Sequence, residues 1–150
     1  MAGIAAAAWA AQIADMSGTW RLDVAKSKWG KHPKPTSEEV VIEHHEPELK
    51  YSGTIVFPSG PTGGEETKKF SFSGYIDGKE YPVFGSLGEG QMSIRRVNPN
   101  TTVWEFKPTN GSATETATTR ISADGRLLIR EVHGKGAHGE TSWTEVYDRK

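Results

Sequence analysis

Apolar and polar residues alternate along most of this 150-residue chain, and a period of two marks strands that bury one face. Trp20-Arg21-Leu22-Asp23-Val24 opens the series. From Glu39 to Glu46, Val40, Ile42 and His44 share one face, and Val41, Glu43 and His45 the other. Leu49, Tyr51, Gly53, Ile55 and Phe57 align in the next run, and Phe70, Phe72 and Ile76 in the run from Thr67 to Ile76. Further runs cover Glu80 to Gly85, Gln91 to Val97, Thr102 to Lys107, Ser112 to Ser122, Arg126 to His133 and Thr141 to Tyr147.

Turn residues stand between these runs. Asp77-Gly78, Asn110-Gly111 and Asp124-Gly125 tolerate positive φ and predict tight hairpins, and Asn98-Pro99-Asn100 predicts another. Pro82 marks its run as an edge or a bulge. Lys31 to Ser37, Pro58 to Glu65 and Gly134 to Gly139 read as loops. Short connections make sequential strands antiparallel neighbours, and no βαβ pattern occurs. The expectation is an all-β, antiparallel up-and-down barrel of about eight to ten strands, with a β-sandwich as the alternative.

Composition narrows the function. A hydrophobic content of 35% suits strands with one wet face better than a thick helical core. Eighteen basic and nineteen acidic residues nearly cancel, so the chain lacks the field that a nucleic-acid partner requires. There are no cysteines, which excludes thiolate chemistry and disulfides. Gly3 to Ala14 is apolar and uncharged, and Ala8-Trp9-Ala10 has the small-x-small form of a cleavage site. Residues 1–14 therefore read as a truncated signal peptide or leader, and 15–150 as a monomeric barrel domain in the periplasm or outside the cell. The leader is shorter than the roughly 20 residues of a membrane span.

Gly18-Thr19-Trp20 stands where lipocalin-like (calycin) barrels carry Gly-x-Trp on their first strand. Ala25-Lys26-Ser27-Lys28, Asp77 to Val83 and Val146-Tyr147-Asp148-Arg149 extend the likeness over most of residues 17–150. With these segments the chain resembles small secreted bacterial proteins of that fold. The resemblance implies that Trp20 seals the closed end beside Gly18, and that Arg149 packs over its ring by cation–π attraction. It also implies a small hydrophobic or amphipathic ligand. The sequence departs from lipocalins in lacking a C-terminal helix and paired cysteines.

Inward polar groups are the informative ones, because burying them unpaired costs about 1–3 kcal/mol. His44 shares a face with Val40 and Ile42, and alternation turns one of Arg95 and Arg96 inward. Arg120 is a second basic group suited to a carboxylate or phosphate. Tyr51, Phe70, Phe72 and Trp104 are expected to line a cavity, with Tyr75 and Tyr81 as further aromatics. His133 and His138 lack the carboxylate that a metal site at regular spacing requires, and no cofactor motif occurs. Three functions compete. The first is a carrier of a small apolar or amphipathic molecule. The second is an isomerase or lyase, with His44, Glu131 or Glu145 as base and Arg96 or Arg120 as clamp. The third is a cell-envelope accessory protein acting through its rim loops. A cavity inside the barrel decides among them.

Overall fold

The computed structural model describes residues 12–150. The expected leader lies outside the described residues as far as residue 11. Ten antiparallel strands close into a barrel. They are β1 (Gly18–Leu22), β2 (Ser37–His45), β3 (Glu48–Ser59), β4 (Gly64–Tyr75), β5 (Glu80–Phe84), β6 (Gly90–Asn98), β7 (Thr101–Pro108), β8 (Ala113–Ile121), β9 (Leu127–Gly136) and β10 (Gly139–Arg149). Each strand pairs with its sequence neighbours, and β1 closes the ring against β10 through Trp20↔Arg149 and Leu22↔Tyr147. Closure leaves no free sheet edge, so a sandwich is excluded. Among the described residues no helix is long and apolar enough to cross a membrane.

Alternation places the core as the pattern predicts. Leu22, Val40, Leu49, Phe70, Phe72, Ile94, Ala117, Leu128 and Val132 point inward, around Trp20 and Tyr147 at 0% and 1% exposure. The ring of Phe70 fills the space where Gly53 has no side chain. A Cβ there would stand 2.1 Å from Phe70 Cζ, which is why this apolar face carries a glycine.

Two segments differ from expectation. The runs Pro58–Glu65 and Gly134–Gly139 are strand for much of their length, with Pro58↔Glu65 and Gly139↔Gly136 in register. Glycine weakens a strand locally, but Gly136 pairs with both Ala113 and Gly139, and that two-sided pairing overrides propensity. Pro82 lies in β5, in register with Gln91 of β6. On its other side β5 meets β4 at Ser71↔Phe84 and Phe72↔Val83, a short seam that tolerates a proline.

The two ends of the barrel are unlike. One is crossed by residues 12–17 and by the tight turns at Asp77-Gly78, Asn100 and Asp124-Gly125. The other carries the connector Asp23–Thr36 and the turns around Gly60, Leu87, Asn110 and Ala137. Beyond β1 the connector follows β10 through paired hydrogen bonds between Lys28 and Thr144 at 2.7 and 2.8 Å, then folds over the barrel mouth.

Candidate functional site

Side chains from β2, β3, β7, β9 and β10 divide the barrel interior into two chambers. Tyr51, Trp104 and Arg130 line both and form the partition between them. The chamber toward the N-terminal segment is about 60 Å³ and is lined by Met16, Trp20, Ile94 and Leu128. The chamber toward the connector is about 200 Å³, with Phe57, Phe70, Val83, Phe106 and Val132 among its walls.

The smaller chamber ends in a sealed floor. Trp20 is fully buried and its indole N–H donates to the Met16 carbonyl at 2.9 Å. The Arg149 guanidinium lies 4.2 Å above the Trp20 ring and donates to the carbonyls of Asp15, Ser17 and Gly125. Gly18 has φ +134°, and a Cβ there would come within 3.2 Å of Arg149 Nη1, so a glycine leaves the arginine its place. Beside this plug, His44 Nδ1 accepts from the Met16 N–H at 3.1 Å, which puts the ring proton on Nε2, 2.7 Å from Glu46 Oε1. Glu46 also receives Arg96 Nε and Nη2 at 2.6 and 2.8 Å. Burial pushes the Glu46 carboxyl up, but the hydrogen bonds from Arg96 and His44 outweigh it and hold it below the usual carboxylate range. His44 and Arg96 thus face inward, Arg96 being the inward member of the Arg95-Arg96 pair, yet they anchor the floor and do not reach the larger chamber.

The partition carries a second polar cluster. Arg130 comes from β9, and Glu145 and Tyr147 from β10, at alternate positions that all point inward. Arg130 Nε lies 2.7 Å and Nη2 2.6 Å from Glu145 Oε1. The Trp143 indole N–H holds the other oxygen of Glu145 at 2.9 Å. The guanidinium packs against the Trp104 and Tyr147 rings, each 5.7 Å to centroid. The Arg130 side chain is 23% uncovered and lines both chambers.

Tyr147 fixes the protonation of this cluster. Its hydroxyl lies 2.9 Å from Glu38 Oε1 and 2.9 Å from Glu145 Oε1, and it accepts from Arg130 Nη2 at 3.2 Å. A phenol has one proton and cannot donate to two carboxylates. Burial, reinforced by Glu145, pushes Glu38 up to about 7. Burial pushes Glu145 up as well, but the Arg130 charge and the surrounding donors overcome it and hold Glu145 below its ordinary value. Glu38 therefore keeps its proton and donates to Tyr147, which donates to Glu145. The Tyr147 oxygen then accepts from Glu38 and Arg130 and donates its one proton to Glu145.

Two more titratable groups face the larger chamber. Glu115 projects from β8, and among the described residues it has no ion-pair partner. Burial raises its carboxyl. His32, on the connector, stacks on Trp143 at 3.8 Å between centroids, and its buried Nδ1 has no hydrogen-bond partner among the described residues. Burial lowers its ring toward the neutral form. The connector is thus laid over the chamber by ring stacking.

Of the expected cavity residues, Tyr51, Phe70 and Trp104 line the larger chamber and Glu145 forms its floor. Phe72 is buried behind the wall, stacked on Tyr51 at 5.2 Å. Tyr81 packs edge-on against Phe72, and Tyr75 is exposed. Arg120 and Glu131 stand on the outer face of β8 and β9, because Thr119 and Ile121, Arg130 and Val132 take the inward positions. Neither serves as clamp or base inside the barrel. His133 also faces outward, 2.9 Å from Ser142 Oγ. Among the described residues no three metal-ligating side chains come together. Arg130, Glu38, Glu115, Tyr147 and His32 were not singled out from sequence. Alternation in Leu128-Ile129-Arg130-Glu131-Val132 carries the signal for Arg130.

No protein-family model matches the chain, and no curated protein matches it in sequence. Among solved structures it is similar to the zebrafish ileal bile acid-binding protein crystallised with cholic acid, at a TM-score of 0.57 and 13% identity. The match covers 89% of this chain and 98% of that one. The likeness shows the fold, a closed antiparallel β-barrel.

Proposed function

We propose that the protein holds a small, partly apolar molecule in the larger chamber, beneath the connector Asp23–Thr36. One observation carries this reading: a space of about 200 Å³, walled by aromatic and aliphatic side chains, with a polar cluster on its floor. Few convergent polar groups in an apolar hollow is the usual make-up of a small-molecule site. The volume lies below the roughly 300 Å³ at which sites for drug-sized ligands begin. It exceeds the ~150 Å³ that accommodates benzene, so the expected ligand has about ten non-hydrogen atoms. The bile acid of the structural neighbour supports the reading only as an example of a ligand inside such a barrel. The proposal includes export, which rests on the leader composition; a mature N-terminus near Ala11 on protein from its native host checks it.

The test is a titration with a panel of small phenolics, short terpenoids and short fatty acids, followed by tryptophan fluorescence. Trp104 and Trp143 both line the chamber and report on its filling. Saturable binding below the millimolar range supports the carrier, and its absence for every probe counts against it.

A second reading, an isomerase or lyase, is favoured by one arrangement. A carboxylic acid with a pKa of about 7 sits in the chamber wall, with a guanidinium in the same cluster. Glu38 is then the proton-transfer group and Arg130 the electrostatic element. Glu38 replaces His44 and Glu131, and Arg130 replaces Arg96 and Arg120, in those roles. Deuterium exchange α to the carbonyl in small ketones, lost in Glu38→Gln, would establish it. The rim-loop reading depends on a filled barrel, and the chamber withdraws that support.

A further inference from the structure

We infer that the larger chamber selects a compact protonated amine with an apolar body over a carboxylate of the same size, an inference that rests on the chamber being a ligand site. The acidic and basic side chains that face it are unequal in number. Arg130 is the cation, and the carboxyls are Glu38, Glu115 and Glu145. His32 is driven toward neutrality by burial, and Tyr51 and Tyr147 are raised by burial and stay neutral phenols.

The one cation is already committed. Two nitrogens of Arg130 approach Glu145 within 2.7 Å, one of them also reaches Tyr147, and aromatic rings flank the guanidinium. An incoming carboxylate must compete with Glu145 for Arg130 and add a like charge beside Glu115, and the protonated Glu38 offers it no cation. In a water-poor space such repulsion is weakly screened.

Glu115 lacks what an amine supplies. It lines the chamber without an ion-pair partner among the described residues, and burial strains its ionised form toward protonation. An ammonium beside it satisfies that carboxylate and gains aromatic faces at Trp143 and Phe106. Phe57 and Phe70 remain for the apolar body of the ligand. The chamber is therefore built as an acceptor of donors.

Calorimetric titration of the full chain with 2-phenylethylamine, 2-phenylethanol and phenylacetate tests this. The three share one body and differ in head group. The amine is expected to bind at least about tenfold more tightly than phenylacetate, with the alcohol between them. Glu115→Gln, a partly exposed position that leaves the core intact, is expected to weaken the amine about tenfold and the neutral alcohol much less. Phenylacetate binding as tightly as the amine overturns the charge selection and leaves the chamber standing as a ligand site. Amine affinity unchanged in Glu115→Gln overturns the role of that carboxylate. Failure of all three ligands to bind overturns the ligand site and the inference together.

Discussion

The two ends of the barrel interior use the same side chains to opposite effect. At the sealed end, Arg149 covers Trp20, and Arg96, Glu46 and His44 form a chain in which one guanidinium meets one carboxylate and a neutral imidazole. Nothing is left over: the polar atoms are paired, and the adjoining space is about 60 Å³. At the connector end, Arg130 meets Glu145, but Glu38 and Glu115 share the chamber with them, and the free space is about 200 Å³. An inward arginine–glutamate pair by itself therefore does not mark a site in this barrel. The proposed ligand site lies where charge and volume are left uncompensated.

Trp20→Ala should have the largest effect on stability, a loss of about 3–5 kcal/mol, because it removes the plug and the platform for Arg149 together. Urea unfolding measures it. A loss below about 1 kcal/mol would show that the sealed end does not anchor the barrel.

Glu145→Ala should cost about 3 kcal/mol, since it leaves Arg130 inside the barrel without its carboxylate. Replacing both partners, Arg130→Met with Glu145→Leu, should restore most of that stability while changing ligand binding. That double variant sharpens the contrast, because the corresponding loss of Arg96 and Glu46 should leave ligand binding unchanged.

The pH dependence of stability should have opposite signs at the two ends. Glu38 has its folded pKa raised to about 7 from its ordinary 4.5, so the native state holds a proton that the unfolded state releases. Its contribution is full below pH 4.5 and is lost as pH rises to about 7, a change on the order of 2–3 kcal/mol. Glu46 has its folded pKa lowered, so its contribution is present above the ordinary carboxylate range and is lost as pH falls through the folded value. Unfolding midpoints across about pH 2–8 should flatten on the alkaline side in Glu38→Gln and on the acid side in Glu46→Gln. An unchanged slope in Glu38→Gln would contradict the protonation assigned to Tyr147 and its neighbours.

The smallest effects should come from the outer wall. Arg120→Gln and Glu131→Gln should each change stability by no more than about 0.5 kcal/mol and leave binding unaffected, because both side chains are exposed on the far side of the sheet.

Much of this was legible in the chain. Alternation located the strands from Val40 to Phe72, and Asp77-Gly78 and Asp124-Gly125 located hairpins whose glycines have φ of 79° and 74°. The pair Arg95-Arg96 required one inward arginine, and Arg96 is that residue. Depth along the barrel axis was not legible. Nothing in the local pattern distinguishes Arg96, which lands at the sealed floor, from Arg130, which lands at the partition, because depth depends on the stagger of all ten strands. The placement of His32 on Trp143 joins residues far apart in the chain and leaves no periodic trace. The extension of β9 and β10 through Gly134 and Gly136 was hidden for a related reason, since pairing on both sides, not side-chain preference, makes those glycines strand.

The central claim is that ligand enters the connector-end chamber and not the sealed end, and the tryptophan indole N–H resonances test it directly. Trp143 donates to Glu145 in the larger chamber and Trp20 donates to Met16 at the sealed floor, both at 2.9 Å. In a ¹⁵N–¹H titration of the full chain with 2-phenylethylamine, the Trp143 indole resonance should shift and saturate while that of Trp20 stays in place. A shift confined to Trp20, or saturable binding that leaves Trp143 unmoved, would contradict the account.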